Sequence, residues 1–309
     1  MTINGHALHY VDEGQGAPVV MVHGNPTWSF YYRDLVTALR GNYRCIVPDH
    51  IGCGYSEKPD DTSYTFTLDQ RIDDLEALLD ALGITENITL VVHDWGGMIG
   101  FGYAVRHPER IKRLVIFNTA AFHLPPDKPL PWMLGLVRNT ALGAWAVLHL
   151  NAFARGSAWV GCTQKARYTL KLPTLVKYRD DLIGVGLSHY RMPPHLRRAY
   201  VAPYDTPAHR LATLRFVQDI PLRPGDPAYA TVSASQAALE DGTWQDVPVL
   251  ICWGLQDFVF DHHFLSRFQQ YFPRAEVHPF FRAGHYVLED ASPQIVPLVQ
   301  DFLERHPLE

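Results

Sequence analysis

The sequence predicts an α/β fold, a doubly wound and mostly parallel sheet interrupted by a helical insert. Three observations predict it. Short, largely apolar runs recur at Pro18–Val22, Tyr43–Asp49, Thr89–Val92, Arg113–Asn118 and Val247–Trp253, with helix-length segments among them. Strands buried on both faces read this way, and their alternation with helices implies parallel pairing. One of these runs stops abruptly at His93-Asp94-Trp95-Gly96-Gly97 and passes straight into a helix-like segment, Met98 to His107. From about Ala121 to Thr206 no buried-strand run occurs. That stretch opens with Pro125, Pro126, Pro129 and Pro131 and continues as helical segments dense in Trp and Leu. The expected division is a core of 1–121 and 207–309 and a helical cap of 122–206. At 309 residues the chain has the length for one large domain with such an insertion.

The elements follow in order. His6 to Val11 alternates weakly and is expected as an edge strand. Ser29 to Leu39 reads as a helix with Ser29 as its cap. Thr67 opens the next helix, with Gln70 completing a capping box, and Leu68, Ile72, Leu75, Leu79 and Leu82 share one face until Gly83 stops it. After the insert, Arg210 to Val217 reads as helix, Ala275 to Phe281 as strand, and Ser292 to Leu303 as the closing helix. No internal repeat or low-complexity tract is present.

Composition narrows the function. Hydrophobic residues make up 47% and charged residues 19% of the chain, as in a protein with a packed core. The formal net charge of -5 and pI of about 6.3 offer nothing to nucleic acid. Cys45, Cys53, Cys162 and Cys252 form no C-x-x-C pair, so neither a disulfide framework nor a metal site is expected, and reduced cytosolic thiols are the simplest account. The N-terminal residues lack the basic and apolar regions of a signal peptide, and no apolar run of membrane-spanning length appears. A cytoplasmic location is the resulting expectation.

The abrupt strand-to-helix turn has the form of a nucleophile elbow, which lifts one side chain above the end of a sheet. That side chain is Asp94, where such turns usually carry Ser, and Val92 stands where the first Gly would be. An Asp could simply cap the helix. A carboxylate with an ordinary pKa of about 3.9 is already anionic at neutral pH, however, and suits displacement at an sp3 carbon with a good leaving group. The resulting ester then needs a base-activated water. Asp257 follows one later strand and His285, in Ala283-Gly284-His285-Tyr286, follows the last. The order nucleophile, acid, His is that of the α/β-hydrolases, with His285 as base and Asp257 orienting it. Asp261 is the runner-up acid, more simply read as the cap of a helix over His262–Tyr271. Glu289 and Asp290 read as solvated charges at a helix start. Asn25, in the loop after the first buried strand, and Trp95 supply two donors each, a backbone N–H and a side-chain N–H. Flanking a nucleophilic Asp, they suit an oxyanion hole and a site for a weakly hydrated halide.

The stretches His23-Gly24-Asn25-Pro26-Thr27-Trp28-Ser29 and Val92-His93-Asp94-Trp95-Gly96-Gly97 resemble the haloalkane dehalogenases. That resemblance runs through essentially the whole chain and implies nucleophile Asp94, base His285, and halide binders Asn25 and Trp95. One branch of the family places a Glu after the sixth strand. This chain has Asn118-Thr119-Ala120 there, which leaves the acid to Asp257. Asn25 with Asp257, and the stretches Pro48–Gly54 and Phe216–Pro221, resemble the third subfamily. The resemblance implies an α/β-hydrolase fold, no cofactor, a small apolar substrate and release of halide. The same subfamily is similar to the β-lactone decarboxylases of olefin biosynthesis, in which the same residues open a strained lactone to alkene and CO2. An epoxide hydrolase would also use an elbow Asp beside Trp, and it needs cap tyrosines, for which Tyr168, Tyr178, Tyr190, Tyr200 and Tyr204 are candidates. A binding protein on the same fold is the non-enzymatic alternative.

The cap carries the substrate question. Leu130 to Phe153 holds Trp132, Met133, Leu134, Leu136, Trp145 and Leu148, with Arg138 as its single Lys, Arg, Asp or Glu. It is expected to be cap core and apolar pocket lining, or an exposed patch joining homo-oligomer subunits. His189, Arg191, His195, Arg197 and Arg198 are read as a solvated basic face.

Overall fold

A computed structural model of the chain describes residues 1–162 and 192–308. The first residues form a small hairpin, β1 (Thr2–Ile3) with β2 (His6–Ala7), rather than part of the expected edge strand. The edge belongs to β3 (Tyr10–Glu13), because the two ladders break at Leu8–His9. Next come β4 (Pro18–Val22), α1 (Arg33–Leu39) and β5 (Arg44–Pro48). The helix expected from Ser29 begins as a 3-10 turn, Ser29–Tyr32, whose N-cap is Trp28. Ser29 is inside that turn, and its backbone N–H donates to Asp49. In α2 (Leu68–Ala81) the Thr67 hydroxyl accepts from the Gln70 N–H as expected, while the Gln70 amide turns to Asp74 instead of closing the capping box.

Then follow β6 (Ile88–Asp94), α3 (Trp95–Arg106) and β7 (Ile111–Thr119). In the cap stretch are α4 (Trp132–Asn139), α5 (Ala141–Leu150), α6 (Ala152–Val160) and α7 (Pro194–Val201). The chain returns through α8 (Leu211–Gln218) and α9 (Tyr229–Glu240) to β8 (Val249–Gly254), α10 (His262–Tyr271), β9 (Glu276–Phe280) and α11 (Val287–Arg305). The last helix starts five residues before its expected start at Ser292 and kinks at Ala291. Among the described residues no strand lies between β7 and β8. The boundaries of the cap at 122 and 206 remain a proposal.

Seven strands make one sheet in the order β3-β5-β4-β6-β7-β8-β9, all parallel except the antiparallel β3. Side-chain alternation along the strands splits the core in two. Val20, Val22, Leu90 and Val92 pack with α2, α3 and α9 on one face. Val19, Met21, Val91 and Val115 pack with α1 and α11 on the other. The central strand β6 is buried at every position, so its carboxyl end is held by the core on both faces. No helix among the described residues is long and apolar enough to cross a membrane.

Candidate active site

At the end of β6 the backbone must reverse within one residue. Asp94 takes φ 52 and ψ −127, a left-handed conformation that a non-glycine residue adopts at a cost of roughly 1–3 kcal/mol. Gly96 and Gly97 let α3 start against the neighbouring strands. A Cβ on Gly96 would land on the Val22 carbonyl, and one on Gly97 on the Thr119 hydroxyl. Asp94 occupies the N-cap position of α3, yet its side chain makes no capping bond. Its carboxylate points elsewhere.

Asp94 Oδ1 accepts the backbone N–H of Asn25 at 2.5 Å, and the backbone N–H of Trp95 also bears on the carboxylate. Asp94 Oδ2 lies 3.6 Å from His285 Nε2. The opposite ring nitrogen of His285, Nδ1, is 2.8 Å from Asp257 Oδ2. Asp257 is in turn immobilised, its Oδ1 accepting from the N–H groups of Val259 at 2.8 Å and Phe260 at 3.1 Å. The structure therefore brings Asp94, His285 and Asp257 together in one line, and all three are buried.

Burial pushes the Asp94 carboxyl above the ordinary carboxylate range, while His285 and the Asn25 and Trp95 N–H groups pull it back. Burial pulls the His285 imidazole down, but the carboxylates of Asp257 and Asp94 outweigh it, and its pKa rises to about 8. At neutral pH with Asp94 free, His285 is thus mostly an imidazolium.

The other expected residues divide. Asn25 and Trp95 both border the cavity above Asp94. The Asn25 side-chain amide already donates to the Thr213 carbonyl at 3.0 Å, which leaves one of its two hydrogens for a ligand. Asp261 caps α10 through the His263 N–H at 3.0 Å and pairs with Lys128 at 2.7 Å. Its side chain, with those of His262 and His263, has ligand atoms within 4.8 Å of one another, but these carboxylate contacts are already made. Glu289 is not solvated: its side chain is 5% exposed and pairs with Arg33 at 2.5 Å and with the Tyr200 hydroxyl. Asp290 accepts the Gly284 N–H at 2.7 Å. The kink at Ala291 turns this first helical turn into the space between cap and core, where a charge needs a partner.

Of the candidate tyrosine donors, Tyr200 and Tyr204 are buried and face away, toward Glu289 and the Thr27 carbonyl, and neither borders the cavity. Tyr168, Tyr178 and Tyr190 lie outside the described residues.

Two supporting residues carry no motif signal beyond their position. His93 Nε2 is 2.8 Å from the His285 carbonyl oxygen, tying the end of β6 to the loop that carries His285. Burial holds His93 well below the ordinary histidine range, so it is neutral, and Nε2–H is the donor. Asn118 donates to the Gly254 and Phe260 carbonyls and accepts from the Gly254 N–H, clamping the strand end that leads to Asp257. The sequence showed that Asn118 is not the family's Glu, but only the contacts show what it does.

The cavity above Asp94 encloses about 120 Å3. Met98, Phe122, Leu134, Phe153, Val217 and Phe264 line it, and Tyr286, next to His285, also borders it. In the cap stretch, Leu130, Leu134 and Phe153 face this cavity, whereas Trp132, Leu142 and Trp145 are exposed. Such a site can attack carbon in an apolar molecule, hold a small anion, and carry one proton on His285.

The α/β-hydrolase fold family matches residues 17–292. The chain is similar to a cis-3-alkyl-4-alkyloxetan-2-one decarboxylase of Shewanella oneidensis, 56% identical over 97% of this chain and 86% of that one. A protein of the same name from Xanthomonas campestris pv. campestris is 49% identical over 98% and 94%. A haloalkane dehalogenase of Mycobacterium marinum is 32% identical over 93% and 86%. Among solved structures, the haloalkane dehalogenase DatA of Agrobacterium tumefaciens C58 superposes with a TM-score of 0.79 at 27% identity, covering 99% of this chain and 95% of that one.

Proposed function

From the premise that the chain belongs to the α/β-hydrolase fold family, in the group that spans haloalkane dehalogenases and β-lactone decarboxylases, we propose that it decarboxylates cis-3,4-dialkyl β-lactones to alkenes. The observation that carries this choice is the 56% identity, over nearly the whole chain, to a relative bearing that name, against 28–32% for the dehalogenases. The geometry supports a mechanism without water. Asp94 Oδ2 attacks the ring carbon that bears the lactone oxygen. The Asp94–carbon bond forms as the ring C–O bond breaks, and ring strain drives the step. The departing carboxylate forms beside the His285 imidazolium, which stabilises its charge, and Asp257 holds that imidazolium in place. The bond from the ring to the carboxylate carbon then breaks. Its electrons form the C=C bond and expel Asp94 as a carboxylate, with CO2 released. The Asn25 and Trp95 N–H groups stabilise Asp94 as this leaving group. Inversion at the attacked carbon followed by anti elimination turns a cis lactone into a cis alkene.

The test is to supply a synthetic cis-3,4-dialkyl β-lactone and analyse the products by gas chromatography and mass spectrometry. Equimolar cis alkene and CO2 from wild type, and neither from Asp94→Ala, are expected. A β-hydroxy acid as product would sink the reading.

A second reading, the haloalkane dehalogenase, is favoured by the likeness to DatA and by Asn25 and Trp95 bordering the cavity beside Asp94. Bromide release from bromoalkanes, absent in Asp94→Ala, tests it. The assignment of Asp94, His285 and Asp257 as the catalytic set is common to both readings. So are an apolar small-molecule substrate and the lack of any need for a cofactor.

A further inference from the structure

The cap holds a second concavity, of about 750 Å3, on the far side of α6. Along α6, Phe153, Ser157 and Val160 face the apolar cavity, while Arg155 and Trp159, one helical turn apart, border the second groove. Among the described residues four arginines line it, Arg155, Arg197, Arg198 and Arg210, against one acid, Asp205. This concentration of positive charge sits on a chain whose net charge is -5.

Among the described lining residues the groove's positive charge outnumbers its negative charge. Asp205 is paired with His209 at 2.6 Å. The Arg210 guanidinium is buried and spends its donors on the carbonyls of Tyr204, Leu148 and Asp205, so it is anchored through carbonyls and makes no ion pair among the described residues. Burial, and then repulsion from Arg155, press it below the ordinary arginine range. The Arg197 guanidinium lies over the Trp159 ring at 4.9 Å, and its buried Nε has no partner. The guanidinium groups of Arg155 and Arg198 make no hydrogen bond or ion pair among the described residues. Of the basic stretch expected to be solvated, His195 and Arg198 are exposed and Arg197 is half-buried, while His189 and Arg191 lie outside the described residues; Arg197 and Arg198 meet Arg155 and Arg210 on one groove.

We propose that this groove binds a phosphate-bearing anion, a phosphoester or diphosphate. Guanidinium groups match phosphate oxygens in paired hydrogen bonds, and a group of two negative charges can engage several of them at once. Because α6 borders both spaces, such a ligand would seat against the helix that walls the apolar cavity.

Two probes distinguish a free phosphate from a lipid headgroup. Calorimetry with inorganic pyrophosphate reads the first, and co-sedimentation with phosphatidylglycerol vesicles, against phosphatidylcholine vesicles, reads the second. Binding of either probe to wild type, weakened at least tenfold in Arg155→Gln/Arg198→Gln, is expected. Arg223→Gln, which removes a well-exposed arginine outside the groove, should bind like wild type. Both groove positions are exposed, so the double variant should keep its circular dichroism spectrum and Tm. Failure of both probes to bind wild type, or equal binding by wild type and double variant, would overturn the proposal.

Discussion

At the scale of single residues, the protonation of His285 separates the two readings. Its pKa of about 8 is held up by the carboxylates of Asp257 and Asp94. When Asp94 becomes an ester in a dehalogenase cycle, one of those charges disappears, the imidazole pKa falls, and the neutral ring can activate water. In the lactone cycle the newly formed substrate carboxylate replaces the lost charge, and the imidazolium persists. Lactone turnover should therefore decline as pH rises through about 8, whereas bromoalkane turnover should rise and reach its plateau below that pH. The kcat profiles of one preparation on both substrates check this. Oxygen from water makes the same distinction. After turnover in 18O-water, the Asp94 peptide should gain the label with a bromoalkane and stay unlabelled with the lactone. Asp257→Asn should lower the His285 pKa, shift both profiles to lower pH, and slow lactone turnover at neutral pH by on the order of 10²- to 10⁴-fold.

At the scale of elements, the turn from β6 to α3 is where packing and chemistry meet. Asp94 is held in a strained conformation because β6 is buried on both faces and α3 leaves at once. Gly96→Ala would drive a methyl group into the Val22 carbonyl, next to the loop that presents the Asn25 N–H to Asp94. Overpacking of this kind costs about 1–3 kcal/mol, a fall in Tm on the order of 5 °C for a chain of this size. Activity should fall further than stability does, because the donor and the nucleophile move apart. Calorimetry alongside steady-state kinetics measures both. His93→Phe should retain the stack on Tyr31 while losing the bond to the His285 carbonyl. A lower kcat with little change in KM is expected, since the base shifts relative to Asp94.

At the scale of the molecule, the question is what holds the cap over the sheet. Glu289 at the start of α11 takes Arg33 from the core at 2.5 and 2.8 Å and Tyr200 from α7. Removing one partner from a buried pair is costly, but Arg33 is 29% exposed and solvent offsets part of the loss. Glu289→Ala should cost about 1–3 kcal/mol and loosen α7 from the core. Limited proteolysis should then cut within the cap at a protease level that leaves the wild type whole. The exposed Trp132, Leu142 and Trp145 keep homo-oligomerisation a proposal. Light scattering at micromolar concentration tests it, and a monomeric mass would count against it.

Much of this was legible in the chain itself. β4, β5, β7 and β8 lie within two residues of their apolar runs, because a strand buried on both faces has little freedom in composition. The turn that carries Asp94 was legible because Asp94 stands at the junction of a β-branched run and a glycine pair, a local pattern. That Asp257 and His285 would meet Asp94 was legible from chain order. What local patterns could not carry was decided by contacts between distant segments. Glu289 reads as a solvated charge until the kink at Ala291 turns it toward Arg33 and Tyr200. Arg155 and Arg210, 55 positions apart, converge only when α6 and α7 fold against the start of α8. His93 bonds to a carbonyl 192 positions away. Sequence alone determined the strands and the elbow, since apolar periodicity and turn chemistry act over a few residues. The tertiary structure decided which charges are buried, which donors are already used, and where like charges meet, because burial and pairing belong to the space between elements.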